Sequence, residues 1–167
     1  MSKLTLNIVL YQPEIPQNTG NIARTCAATG AHLHLIKPLG FSTRDKYLKR
    51  AGLDYWPLVS VTYHDDLSGF LDRHARERTY FLTKKANRIY DQIDFNGKVF
   101  LVFGKETAGI PGTILHDHRE SCFRIPMISE ARSLNVSNAA AIVVYEALRQ
   151  TGFAGLNTDG KYPEQSK

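Results

Sequence analysis

Three stretches of this chain crowd polar side chains and glycines into a few residues, and each could carry chemistry. The first, residues 13–24, reads P-E-I-P-Q-N-T-G-N-I-A-R. Asn18, Thr19 and Asn21 are each able to cap a following helix. Arg24 would then fall about one turn inside that helix. A helix N-terminus with a nearby guanidinium is a good site for phosphate or another anion. A capped helix with a surface Arg accounts for the same spacing. The second stretch, residues 103–111, reads F-G-K-E-T-A-G-I-P. Gly104 and Gly109 allow close backbone approach, Pro111 suits a first helical turn, and Glu106 between the glycines could fix an Arg or a loop amide. A plain strand-to-helix turn would look similar. The third, residues 124–138, reads R-I-P-M-I-S-E-A-R-S-L-N-V-S-N. Ser133, Asn135, Ser137 and Asn138 are more hydroxyl and amide groups than one helix cap requires, so the surplus needs partners from a ligand or from other backbone.

The elements that must position these stretches alternate. Residues 4–10, 32–36, 58–63, 79–83, 98–103 and 122–126 are rich in Val, Ile, Leu, Phe and Tyr and read as strands. Residues 21–29, 44–51, 65–74 and 111–116 read as helices, with Gly30 and Gly52 where C-caps would sit. Such alternation predicts an α/β fold, a mostly parallel sheet with helices on both faces. In that architecture ligands bind at the carboxyl ends of the strands, where all three stretches fall. The last helix, residues 136–150, is apolar nearly all round. It should pack on its own sheet and on a second copy of the chain, or else be the central helix of a monomer. Residues 1–153 are expected to form one domain and residues 154–167 a polar tail.

Composition narrows the field. The 167 residues are 43% hydrophobic and 22% charged, with a net charge of +5, which permits a polyanionic partner without requiring one. No apolar run is long enough to span a membrane, and the N-terminus lacks a signal-peptide core, so a soluble cytoplasmic protein is expected. Cys26 and Cys122 form no C-x-x-C pair. His116, Asp117 and His118 alternate in a way that suits solvated side chains better than a metal, and no metal is expected. There is no G-x-G-x-x-G, P-loop or G-x-S-x-G motif, which removes the usual dinucleotide, nucleotide-triphosphate and hydrolase readings.

The order N-T-G-N-I-A-R at residues 18–24, F-G-K-E-T-A-G-I-P at 103–111, and I-P-M with S-L-N-V-S-N-A across 125–139 resembles the SPOUT-class, trefoil-knotted RNA ribose methyltransferases. With L-Y-Q-P-E-I-P at 10–16 and R-A-G-L-D-Y at 50–55, the chain is most similar to the shortest members of that class. They methylate the ribose 2'-hydroxyl of the wobble nucleotide, C34 or a modified U34, in leucine tRNAs. The resemblance implies a deep C-terminal knot, a homodimer with sites near the subunit interface, and S-adenosylmethionine held in bent form by knot-loop backbone. It assigns the cofactor to Leu82, Thr83, Gly104, Ile125, Met127, Ser133 and Leu134. Arg24 is implied in hydroxyl activation, and because a guanidinium stays protonated it would organise the ribose and its phosphate. Asn18, Glu106, Asn135 and Tyr145 are the accompanying candidates, with Glu106 expected to orient Arg24. Lys84, Lys85, Arg88, Lys105, Arg132 and Arg149 are the basic residues available to grip tRNA. A ribose methyltransferase for another tRNA or rRNA site, a non-catalytic RNA-binding dimer of the same fold, and a small-metabolite enzyme are the alternatives.

Overall fold

The computed structural model describes residues 4–42 and 55–162. Seven strands form one sheet: β1 (Thr5–Tyr11), β2 (His32–Ile36), β3 (Val61–His64), β4 (Arg78–Leu82), β5 (Arg88–Ile89), β6 (Lys98–Phe103) and β7 (Cys122–Arg124). Their spatial order is β3-β2-β1-β6-β4-β7-β5. Every neighbouring pair is parallel, as the strand–helix alternation predicts. All carboxyl ends therefore share one edge. The four α-helices described are α1 (Pro16–Thr29), α2 (Leu67–Arg73), α3 (Gly112–Asp117) and α4 (Val136–Gln150). The last strand, β7, lies between β4 and β5, both of which precede it in the chain.

Strands buried on both faces alternate between two cores. In β6, Val99, Leu101 and Phe103 join a cluster with Ile8, Leu33 and the inner faces of α1 and α4. Phe100 and Val102 face the other way, onto Phe70 of α2 and Leu115 of α3. Both cysteines are buried, and burial pushes the Cys26 thiol up to about 12, so neither is a poised nucleophile. Among the described residues no helix is long and apolar enough to cross a membrane.

Several boundaries differ from the sequence expectation. Helix α1 begins at Pro16, five residues before the predicted start at residue 21, and none of Asn18, Thr19 and Asn21 caps it; the N-cap position is Ile15, without a side-chain bond. Proline is preorganised for a first helical turn, and the capping group comes from elsewhere, as shown below. Arg24 consequently lies more than two turns into the helix, away from its N-terminal field. Residues 56–58 form a 3-10 turn and β3 starts only at Val61. The short edge strand β5 has no sequence signal. Gly30 ends α1 in the left-handed conformation, φ 73°, as expected of a C-cap glycine. The helix predicted at 44–51 and the cap at Gly52 lie outside the described residues. Leu156 packs against the core, three residues past the boundary expected for the tail.

Helix α4 is not buried all round. Ala140, Val143, Val144 and Ala147 are buried, whereas Ile142 and Tyr145 remain 38% and 48% exposed. On the β3 side of the sheet, a histidine chain crosses β1, β2 and β3. His34 Nε2 lies 3.1 Å from Asn7 Oδ1, and His34 Nδ1 lies 3.0 Å from His64 Nε2. The Asn7 amide nitrogen donates to the Val99 carbonyl, so its oxygen must accept. That fixes His34 as the Nε2–H tautomer, makes His64 the donor to His34, and leaves His64 Nδ1 to accept from Arg73 at 3.3 Å. Phe70 and Phe100 close over the pair.

A candidate active site at the carboxyl edge of the sheet

The loops leaving β1, β4, β6 and β7 converge around a cavity of about 560 Å³. That is the size of an ordinary small-molecule site. The β6 loop forms one wall by folding back on itself. The Gly109 N–H donates to the Lys105 carbonyl at 2.8 Å, and Gly109 takes φ +69°. Gly104 sits so close beneath it that a Cβ there would lie 2.3 Å from the Gly109 carbonyl carbon. No L side chain fits at position 104 without displacing backbone.

Glu106, at the tip of this fold, ties the loops together. Its carboxylate accepts from the Glu14 N–H at 2.9 Å, the Ile15 N–H at 3.3 Å and the Asn18 side-chain amide at 3.0 Å. Two of those donors belong to the entry of α1, so the helix is capped by a residue about ninety positions away. The clamp is reciprocal. The Glu14 carboxylate accepts from the Thr107 N–H at 3.0 Å and from the Thr107 hydroxyl, and these bonds hold it below the usual carboxylate range. Asn18 continues the network, accepting from the Asn135 amide at 2.9 Å. Asn135 Oδ1 in turn caps α4, taking the Ser137 N–H at 2.9 Å and the Asn138 N–H at 3.4 Å. One connected set of bonds thus joins the β1, β6 and β7 loops and the starts of both long helices.

The cavity's walls are apolar: Leu82, Phe103, Ile110, Ile125, Met127, Leu134, Val136 and Ala139. Its rim is polar, with Thr83, Lys84, Lys105, Ser133 and the Glu106 network. Among the described residues the lining contains no histidine, cysteine or aspartate, and the oxygens of Glu106, the one carboxylate there, are engaged by three donors. Such a lining suits gripping and desolvating a flat heterocycle rather than nucleophilic or general-base work. The reactive group must come with the ligand.

Leu82, Thr83, Gly104, Ile125, Met127, Ser133 and Leu134 all line this cavity, as do Asn18, Glu106 and Asn135. Arg24 and Tyr145 do not. Arg24 is exposed on α1, with its guanidinium 4.8 Å from the centre of the Tyr55 ring. The Glu106 carboxylate bonds the β1 loop and Asn18, whereas the Arg24 guanidinium lies against Tyr55. The basic residues divide as well. Lys84 donates to the Arg132 carbonyl at 2.9 Å, and Arg149 pairs with Glu146 at 2.8 Å, so both serve the chain itself. The Glu14–Thr107 half of the clamp went unread in the sequence, although both residues flank positions that were singled out.

An open parallel sheet with a ligand-sized cavity across its carboxyl edge, apolar within and knitted by loop carboxylates and amides, defines an α/β protein that works on or with a bound nucleotide-like molecule. The chain belongs to the SpoU rRNA Methylase family, which matches residues 5–145. A tRNA (cytidine(34)-2'-O)-methyltransferase of Escherichia coli is 49% identical to it over 151 residues, covering 90% of this chain and 96% of the relative. A solved structure described as giving structural insights into the 2-OH methylation of C/U34 on tRNA is 44% identical, covers 90% of this chain and 98% of the other, and superposes with a TM-score of 0.84. An AdoMet-bound rRNA methyltransferase of Sinorhizobium meliloti is 25% identical, covers 87% of this chain and 56% of the other, and superposes with a TM-score of 0.77.

Proposed function

We propose that the protein transfers a methyl group from S-adenosylmethionine to the ribose 2'-hydroxyl of nucleotide 34 in tRNA, with leucine tRNAs as substrates, and that it works as a cytoplasmic homodimer. The observation that carries this is the cavity itself. It combines apolar walls for an adenine with converging loops and, among the described residues, no histidine, cysteine or aspartate, which fits a donor that brings its own leaving group. When bound, S-adenosylmethionine supplies an electrophilic methyl on a sulfonium sulfur. Leu82, Thr83, Gly104, Ile125, Met127, Ser133 and Leu134 would hold it. The position of β7 between β4 and β5 supports the deep knot that the resemblance implies.

The chain's residues then bind, dry and orient. The apolar walls keep the cavity poor in water, which favours a reaction in which opposite charges are neutralised. Glu106, Asn18 and Asn135 hold three loops at a fixed separation. Arg24, permanently charged and outside the lining of its own cavity, organises the ribose and its phosphate at the other site of the dimer. The uncovered Ile142 and Tyr145 on α4, which packs against α1, supply an apolar face for that second copy.

Incubation with labelled S-adenosylmethionine and bulk tRNA, followed by nucleoside mapping, tests the reaction. Label in 2'-O-methylated nucleotide 34 is expected; label elsewhere, or none, overturns it. Subunit mixing tests the composite site. Arg24→Ala and Glu106→Ala should each be inactive, whereas their mixture should regain roughly a quarter of wild-type activity, because half of the dimers carry one intact site of two. A mixture as dead as its parents would place Arg24 in its own subunit's site, and an active Arg24→Ala parent would remove it from the chemistry.

A further inference from the structure

A second hollow, of about 550 Å³, opens beside the first on the edge where β5 and β7 end the sheet. Thr83 and Lys85 line both, so the two are continuous around the loop that leaves β4. Its character is different. Lys85, Arg88 and Arg119 line an open trough with Leu115, Cys122 and, among the described residues, one carboxylate, Glu120; His116, also in the lining, lies 3.3 Å from Asp117.

The cations are not equally free. Arg88 is fixed at both ends: its guanidinium donates to the Glu120 carbonyl and lies 4.5 Å from the centre of the Phe123 ring. A guanidinium carries five N–H donors, so a single carbonyl bond leaves most of them available in a preset orientation. The side chains of Lys85 and Arg119 make no ion pair or hydrogen bond among the described residues. They come from two segments of the chain, Lys85 from the loop after β4 and Arg119 from the turn before β7, on an open trough. An open trough that presents several cations suits a chain of phosphates. The Lys84 and Arg149 side chains, by contrast, are already engaged within the chain.

We propose that this trough binds the phosphodiester backbone of the RNA flanking the nucleotide whose ribose enters the first cavity. The inference rests on the methyltransferase reading above and extends it to a second, sequence-independent contact. Arg119 and Arg88 each neutralise a phosphate, and Lys85, at the junction, meets the strand as it passes from one hollow to the other. Contacts of this kind position an RNA without reading its sequence.

The test is the affinity of wild-type protein, Arg119→Ala and Arg88→Gln/Arg119→Ala for fluorescently labelled unmodified tRNA, across a salt series. Loss of one phosphate contact should weaken binding by roughly five- to tenfold and lower the slope of log affinity against log salt by about 0.7–0.9, with the double variant losing about twice that slope. The affinity of each variant for S-adenosylmethionine, measured without RNA, should stay at the wild-type value. If Arg88→Gln disturbs the β5 edge, seen as a lowered melting temperature, Arg119→Glu carries the test alone and should weaken binding further than Arg119→Ala. Unchanged affinity and slope in a protein that methylates tRNA overturns the trough and leaves the reaction standing. A wild-type protein that neither binds nor methylates tRNA overturns both.

Discussion

The bonds around Glu106 and the histidine chain through His34 are both polar networks that join segments distant in sequence, yet they are built for different ends. The first sits on loops at the carboxyl edge, centres on carboxylates, and leaves its surroundings open to a cavity. The second lies beneath Phe70 and Phe100, and each of its imidazoles has both ring nitrogens paired, ending on Asn7 at one side and Arg73 at the other. A closed neutral chain holds strands in register and does nothing more. An open charged one fixes the distance between loops, and a ligand can read that distance. Buried polar groups are costly wherever they sit unless satisfied; both networks satisfy theirs, and what separates the two is that one borders a cavity and the other is closed over by aromatic rings.

The largest effect expected from breaking this contrast is at Glu106. Glu106→Ala removes an acceptor shared by three donors, each bond to a charged group being worth about 1.5–3 kcal/mol. Methyl transfer should fall about a thousandfold, with S-adenosylmethionine affinity falling alongside, since the β1 and β6 loops are no longer held together. Calorimetry of donor binding together with single-turnover transfer checks it. Donor affinity and transfer rate at wild-type levels, accompanied only by a lower melting temperature, would make the Glu106 network as purely structural as the histidine one.

The histidine chain gives the next effect, and it concerns stability alone. Burial, reinforced by the neighbouring His64 and His74, lowers His34 from 6.5 to about 3, and His64 and His74 are lowered too, chiefly by burial. Between those limits the unfolded chain binds the proton that the folded chain refuses. The stabilisation is complete above about pH 6.5 and declines as pH falls through the window, by at most about 1.4 kcal/mol per pH unit for His34 alone. Urea melts at a series of pH values should show this slope. His34→Leu, which strands Asn7 Oδ1 and the His64 N–H, should cost about 2–3 kcal/mol at pH 8, and its curve should converge on the wild type as the medium is acidified. Parallel curves would mean that His34 takes up its proton as readily in the fold as in the unfolded chain. Transfer by His34→Leu at pH 8, under folding conditions, should stay within about twofold of wild type, in contrast to Glu106→Ala.

The two networks also differ in how far the sequence disclosed them. The loops at the edge were legible because strand-length apolar runs end in clusters of Gly, Asn, Ser and Glu, and because the three motifs fall in a known order. The bonds among them were not. Asn18 has the composition of a cap, but its partners are Glu106 and Asn135, far along the chain. The start of α1 was misplaced for the same reason: its capping carboxylate is supplied by another loop, and local pattern carries no trace of that. Arg24 showed its residue type but not its direction, which depended on that start. The histidine chain gave no signal, because His34 and His64 meet only through the register of β2 against β3, whose pairs include His34 with Thr62 and Ile36 with His64.

The smallest expected effect probes where the open network ends. Lys84 lies on the cavity rim, and its ammonium donates to the Arg132 carbonyl at 2.9 Å, tying the β7 loop across the β4 loop. Both groups are exposed, so water replaces the bond readily and its net worth is about 0.5–1.5 kcal/mol. Lys84→Met keeps the apolar stem and removes only the tie. If the tie holds Ser133 and Leu134 against the donor, KM for S-adenosylmethionine should rise about threefold. The melting temperature should stay within ~2 °C, because the core beneath does not depend on this bond. A KM change confined to tRNA would instead assign Lys84 to the RNA, in the company of Lys85. A fall in melting temperature with both KM values intact would show that the β7 loop belongs, like the histidine chain, to the part of the molecule that only holds itself together.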